Sequence, residues 1–335
     1  MKKRLLLSLA LILVMSVSLF IYQSDVEAKS SGIEENKLTL MSGSAGGYWY
    51  RLSAIHAEFL SNGIKDVIVT PVEGTANDNI RVVGLGKDAQ IGYTWASSAT
   101  DAIKGIRYFE KQKYPDIRQL FQFQDSYFYI VTRADSGIES LKDLVGKKVQ
   151  TGRRRSAQDL YFDIIMEEAG ITKKDMKKAG HKRMYETYSS AANNMKDGHI
   201  DAFVLVGPLK HSVLMELETY FKLKIIPIPK DVADGFLKRV SGFRGAVATA
   251  GTYKWMKKDV PVLKYFCIAI ANAKLSEDRV YEIMKVTYKN INDLQKVSIK
   301  AFGHCFNLEH ALDGISTEYL HPGAVKYFKE VGVLR

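Results

Sequence analysis

The stretch LTLMSGSAGGYW, residues 38–49, decides how the rest of the chain is read. Residues 38–41 form a short apolar strand. A loop of serine and glycine follows. Then Tyr48, Leu52, Ile55 and Phe59 recur at spacings of 4, 3 and 4, the period of an amphipathic helix. A strand, a glycine loop and a helix in that order bring unpaired N–H groups of a first helical turn beside a backbone that a ligand can approach closely. The helix dipole adds to this, so the loop suits an anion. The glycine spacing is not that of a dinucleotide fingerprint, and no Gly-Lys-Ser/Thr follows, so a P-loop is excluded. For this loop alone the competing reading is a tight turn with Tyr48 and Trp49 in the core.

The same unit recurs along the chain. Residues 67–70 are a β-branched strand, and Thr75 with Asp78 caps the helix after it. Residues 89–94 form a strand, followed by a helix opened by Ser98 and Asp101. Residues 117–132 read as one or two longer strands. The alternation then restarts. Caps at Ser140, Ser156 and Thr172 each have an Asp three residues on, and strands are expected at 147–151, 202–206 and 225–228. A strand near Phe266 and helices from Glu277 onward complete the chain. Repeated strand–helix units predict an α/β fold of two lobes, each a mostly parallel sheet flanked by helices. The expected lobes are residues 37–130 with 241–335, and residues 131–240.

Five loops lie at the carboxyl ends of expected strands, where open α/β sheets bind ligands. They supply the candidate ligand-binding residues: Ser44, Gly46, Gly47, Tyr48 and Trp49 in the first; Thr75, Ala76 and Asn77 in the second; Tyr93 and Trp95 in the third. Arg153, Arg154, Arg155 and Ser156 form the fourth, and Gly207 the fifth. Arg153, Arg154 and Arg155 are flanked by Gly152 and the capping Ser156. An arginine there can grip a carboxylate through two parallel hydrogen bonds. The competing reading is a solvated charge cluster. Tyr48, Trp49 or Trp95 would form an aromatic wall.

Composition sets the surrounding limits. The chain has 335 residues, 46% of them hydrophobic and 25% charged, which is globular rather than disordered. A net charge of +11 favours anionic partners. Lys2, Lys3 and Arg4, an uncharged apolar run to Tyr22 and Val26-Glu27-Ala28 read as a signal peptide over residues 1–28, which predicts a periplasmic protein. An uncleaved anchor is the alternative. Outside the cytoplasm Cys267 and Cys305 could be bonded, although two separately buried thiols fit their apolar settings better, Cys305 within an expected helix. The seven histidines show no HExxH, and no GxSxG elbow or EF-hand loop is present. No catalytic residue, metal or cofactor is therefore expected. Basic residues do not alternate with aromatics along a helix, which argues against nucleic acid.

Six motifs carry a family resemblance over nearly all of the chain after residue 28. They are the glycine-rich opening at 42–60, EGTANDNI at 73–80, LKDLVGKKVQTG at 141–152, DGHIDAF at 197–203, GTY at 251–253, and LHPGAVKYFKEVG at 320–332, the most specific of the set. In these the chain resembles the TAXI family of solute-binding proteins, the extracytoplasmic receptors of one class of TRAP transporters. The resemblance implies a type II periplasmic-binding-protein fold, with two lobes that close about a hinge on a small anionic metabolite such as glutamate or a dicarboxylate. It also implies a monomer that delivers its ligand to a TRAP-type membrane permease. The chain departs from the family pattern where Arg153, Arg154 and Arg155 replace a glycine-rich stretch, and where Pro208 and Leu209 follow Gly207 in place of a second glycine. Those changes favour a more anionic ligand, such as a dicarboxylate or a sulfonated carboxylate. An enzyme on the same fold and a membrane-tethered sensor or surface antigen are the rival readings.

Overall fold

The computed structural model describes residues 33–43, 48–154, 156–302 and 305–335. The expected signal peptide and Ser44, Gly46, Gly47 and Arg155 lie outside the described residues.

Three strands, β1 (Lys37–Met41), β2 (Ile68–Val72) and β3 (Ile91–Trp95), pair in parallel in the order β2-β1-β3. Each is followed by a helix: α1 (Tyr48–Gly63), α2 (Ala76–Leu85) and α3 (Ala96–Lys104). A second parallel set, β7 (Ala202–Gly207), β5 (Lys148–Gln150) and β6 (Lys182–Met184), stands in that order. Helices α4 (Ala157–Glu168), α5 (Lys173–Lys178) and α6 (Tyr188–Lys196) fill its connections. Two long antiparallel strands, β4 (Ile117–Arg133) and β10 (Val260–Asn272), join the sets into one sheet. β3 lies antiparallel on β10, and β7 lies antiparallel on β4. Two further strands extend the join: β8 (Leu223–Ile226) pairs with the end of β4, and β9 (Phe243–Ala248) with the start of β10. Because β4 and β10 run through both wings, Glu35–Arg335 holds together as one contact unit.

Local chemistry explains the element boundaries. Thr75, Ser156 and Thr172 each accept a hydrogen bond from the backbone N–H of the Asp three residues on, as their spacing predicts. The left-handed Gly86 (φ 67°) ends α2. Residues 117–133 form one strand rather than two. Two bulges against β10, at Cys267/Ile268 and Ala269/Ile270, let so long a strand twist without breaking. The expected helix at Cys305 is not found; α10 (Ile291–Phe302) ends before it. Both cysteines are buried and unbonded, and burial pushes the Cys305 thiol up to about 12.

Each wing has its own core. Ile80, Val83, Ala96, Ala99, Phe266 and Ile268 pack in the first. Tyr129, Phe203, Leu205, Leu214 and Val262 pack in the second. The buried face of α1 is rotated from the expected stripe and centres on Leu52, His56 and Leu60. The reason is polar. His56 lies between Tyr93 of β3 and Thr287 of α9 (Glu277–Lys289), at 2.8 Å from each hydroxyl. Thr287 donates its hydroxyl proton to the Ile283 carbonyl, so it can only accept from His56 Nε2–H. His56 Nδ1 is then the acceptor for the Tyr93 hydroxyl, and the neutral ring satisfies three elements at once.

Burial lowers His56 to about 4, so the folded state holds it neutral. The unfolded chain takes up a proton near pH 6.5. Stability is therefore full above about pH 6.5 and falls as the pH drops toward 4, by about 3 kcal/mol from this residue. Urea midpoints measured across that range should fall with pH, and H56Q should lower the neutral-pH midpoint while making the slope shallower.

Candidate functional site

The register of the long strands places the two sets of strand ends opposite one another. Trp95, the last residue of β3, pairs with Cys267 of β10. Gly207, the last residue of β7, pairs with Tyr127 of β4, which in turn pairs with Lys264 of β10. β3 and β7 run in opposite directions, so their carboxyl ends face each other across three residues of β10. That gap is about 10 Å along the strand.

On the first wing one side chain ties the strand ends together. The Asn79 amide donates to the carbonyls of Ser42, just after β1, and of Tyr93 in β3, each at 2.7 Å. Gly74 leaves room for this: a Cβ there would stand 1.9 Å from Asn79 Oδ1. Ser42 is held to the Val72 carbonyl by both its amide, at 2.8 Å, and its hydroxyl, at 3.0 Å. Thr75 caps α2, and Thr94 fixes the Ala76 carbonyl at 2.8 Å. Asn77, in the first turn of α2, has a buried Oδ1 with no hydrogen-bond partner among the described residues.

The aromatic residues divide. Tyr48 is half-buried at the first position of α1. Trp49 donates its indole N–H to Gln124 on β4 (2.8 Å) and sets its ring edge-on to Phe123. Trp95 is half-buried between Tyr265 of β10 and Tyr161 of α4, with ring centroids at 5.1 and 6.3 Å. Tyr161 also donates to the Ser97 hydroxyl at 2.7 Å, which joins α4 of the second wing to the start of α3. Tyr93 takes a different place from that expected. Strand alternation turns its ring into the core toward His56, where it is 1% exposed. Only its backbone belongs to the strand-end assembly.

On the second wing Ser156 caps α4, and its amide closes a turn onto the Arg153 carbonyl at 3.0 Å. Arg153 and Arg154 are both exposed, and Arg154 lies 5.8 Å from the Tyr185 ring centre. Gly207 lets the chain pass His211, whose ring carbon would be 2.8 Å from an added Cβ. Burial lowers His211 to about 4, so it is neutral.

A groove of about 780 Å³ lies between residues 107–111 and residues 154–185. Arg107, Tyr108 and Lys111 of the first wing form one bank, and Arg154, Arg183 and Tyr185 of the second form the other. Arg183 pairs with Asp159 (3.0 Å) and Asp163 (2.6 Å) and so fastens β6 to α4. Apart from Arg154, none of these residues belongs to an expected loop. The bank at 107–111 follows a helix rather than a strand, so a search of strand ends passes over it. Among the described residues no group of His, Cys, Asp or Glu could hold a metal ion, and no helix is long and apolar enough to cross a membrane.

A ten-stranded α/β sheet divided into two parallel wings by a pair of crossing antiparallel strands is the two-lobed periplasmic-binding-protein fold. A family model described as the NMT1-like family matches residues 40–332, and the chain belongs to that family. Among solved structures it is similar to the periplasmic sulfonate-binding protein SsuA from Methylobacillus flagellatus KT, at 14% identity over 90% of this chain and 96% of that one, with a TM-score of 0.52. It is also similar to XAC2383 from Xanthomonas citri bound to ATP, at 13% identity over 89% and 97% of the two chains, with the same TM-score. At these identities the likeness establishes the fold.

Replacing Asn79 by Ala would leave two buried carbonyls at the strand ends without their donor. It should lower unfolding stability by about 2–4 kcal/mol in urea titrations.

Proposed function

We propose that this protein is an extracytoplasmic solute-binding protein that takes a small organic anion between its wings and delivers it to a TRAP-type permease of the TAXI class. The observation that carries this reading is the face-to-face placement of the carboxyl ends of β3 and β7 across three residues of β10. Helix N-termini from both wings open at those ends, and they favour negative charge. The first-turn backbone N–H groups of α2 and the exposed Arg153 and Arg154 give each wing donors for the anion, and Asn77 Oδ1, an acceptor, suits the ammonium group of a glutamate-like ligand. Ser44, Gly46, Gly47, Thr75, Ala76, Arg155, Ser156 and Gly207 complete the proposed set, with the backbone of Tyr93 and with Tyr48, Trp49 and Trp95 as apolar surface. In this reading residues 37–130 with 241–335 form one lobe and residues 131–240 the other, and residues 1–28 direct export to the periplasm.

The mechanism is a shift of populations. An anion held by backbone donors of one wing gains the arginines of the other only when the wings are close, so ligand favours closure. The ligand class is a dicarboxylate, a glutamate-like anion or a sulfonated carboxylate. The ABC-type sulfonate-binding neighbour supports a second reading of the partner, an ABC permease. Reconstituted uptake driven by an ion gradient, with no requirement for ATP, supports the TRAP partner; ATP-dependent uptake supports the other.

A thermal-shift screen should find an organic anion that raises the melting temperature and neutral sugars that do not. Calorimetry on the variant carrying S156A and R153A should show at least about tenfold weaker binding, the worth of one charged hydrogen bond. Tight binding of a neutral sugar with no organic anion would reject the assignment.

A further inference from the structure

The groove between residues 107–111 and residues 154–185 has its own charge balance. On its walls Arg183 is used by Asp159 and Asp163, Lys173 by Asp163 at 2.9 Å, and Arg107 by the buried Asp101. These pairs hold the wall together and leave little charge over. Three cations remain. Lys111 on the first bank, and Arg154 and Lys177 on the second, have no carboxylate partner among the described residues. Glu110 is the wall's acidic side chain outside those pairs, and it is exposed. The two banks also carry the exposed tyrosines Tyr108 (42%), with Arg81 over its ring, and Tyr185 (37%), with Arg154 over its ring.

A volume of about 780 Å³ is that of a small-molecule site and far exceeds one simple ion. Cations without partners on facing banks select a molecule with negative charge at more than one place. Lysine acts as a point charge and suits phosphate-like oxygens as well as carboxylates. We propose that this groove is a second anion site, which meets the proposed solute site only at Arg154, and that it takes a small polyanion which bridges Lys111 of the first wing and Lys177 of the second. Because its banks belong to different wings, occupancy resists their separation. The site goes beyond the solute-binding reading and does not depend on it.

The test uses the full protein with pyrophosphate and citrate as probes, in low salt, by calorimetry. At least one probe should bind, with pyrophosphate the tighter if phosphate charge is what the site selects and citrate if carboxylate is. K111E and K177E should each weaken binding several-fold, and the double variant by at least about tenfold. Both lysines are exposed and, among the described residues, have no carboxylate partner, so the melting temperature without probe should be unchanged. N77A, in the space between the strand ends, should leave probe binding intact. The proposal is overturned if neither probe binds, if the double variant binds as the parent does, if only one of the two lysines matters, or if N77A abolishes binding.

Discussion

The antiparallel pairing of β4 with β10 is the constraint on which the other features depend. Ten residue pairs join the two strands, from Ile117–Asn272 to Phe128–Leu263. Each strand is long enough to serve both wings, so a single hydrogen-bonded ribbon sets the distance between β3 and β7. Strands paired in a ladder cannot slip by one residue without turning every side chain to the opposite face. The facing of the strand ends is therefore a consequence of register, and the loops that follow inherit it.

Polar side chains in the first wing do what a packed core alone could not. Asn79 ties two strand ends with one amide, and His56 joins a helix, a strand and a second helix through a neutral ring. Both are buried, so each missing partner would leave a desolvated group uncompensated. In the second wing Arg183 has the corresponding role for α4 and β6. The strand ends are thus positioned by hydrogen bonds and ion pairs behind them.

Much of this was legible in the residues. The caps at Thr75, Ser156 and Thr172 declare themselves by an Asp three positions on, because the geometry of one helical turn is local. The glycine loops and the alternation of strand and helix announce an α/β sheet for the same reason. Residues 117–133 were ambiguous between one strand and two, since nothing within the segment records that bulges against a distant strand will carry it through. The buried face of α1 was misplaced because apolar spacing favoured Ile55 and Phe59, whereas the partners of His56 come from positions 93 and 287. Tyr93 was grouped with the ligand loops by its position at a strand end, and pleating sends its ring the other way.

By itself the sequence determined the class of fold, the capped helices, the strand-end loops and the excess of positive charge, all of which follow from short-range patterns and composition. Tertiary structure alone decided which loops stand opposite one another, which cations keep an unused charge and that residues 107–111 form a wall with residues 154–185. Those outcomes depend on pairings between positions far apart in the chain, and the local preferences of the residues involved carry no record of them.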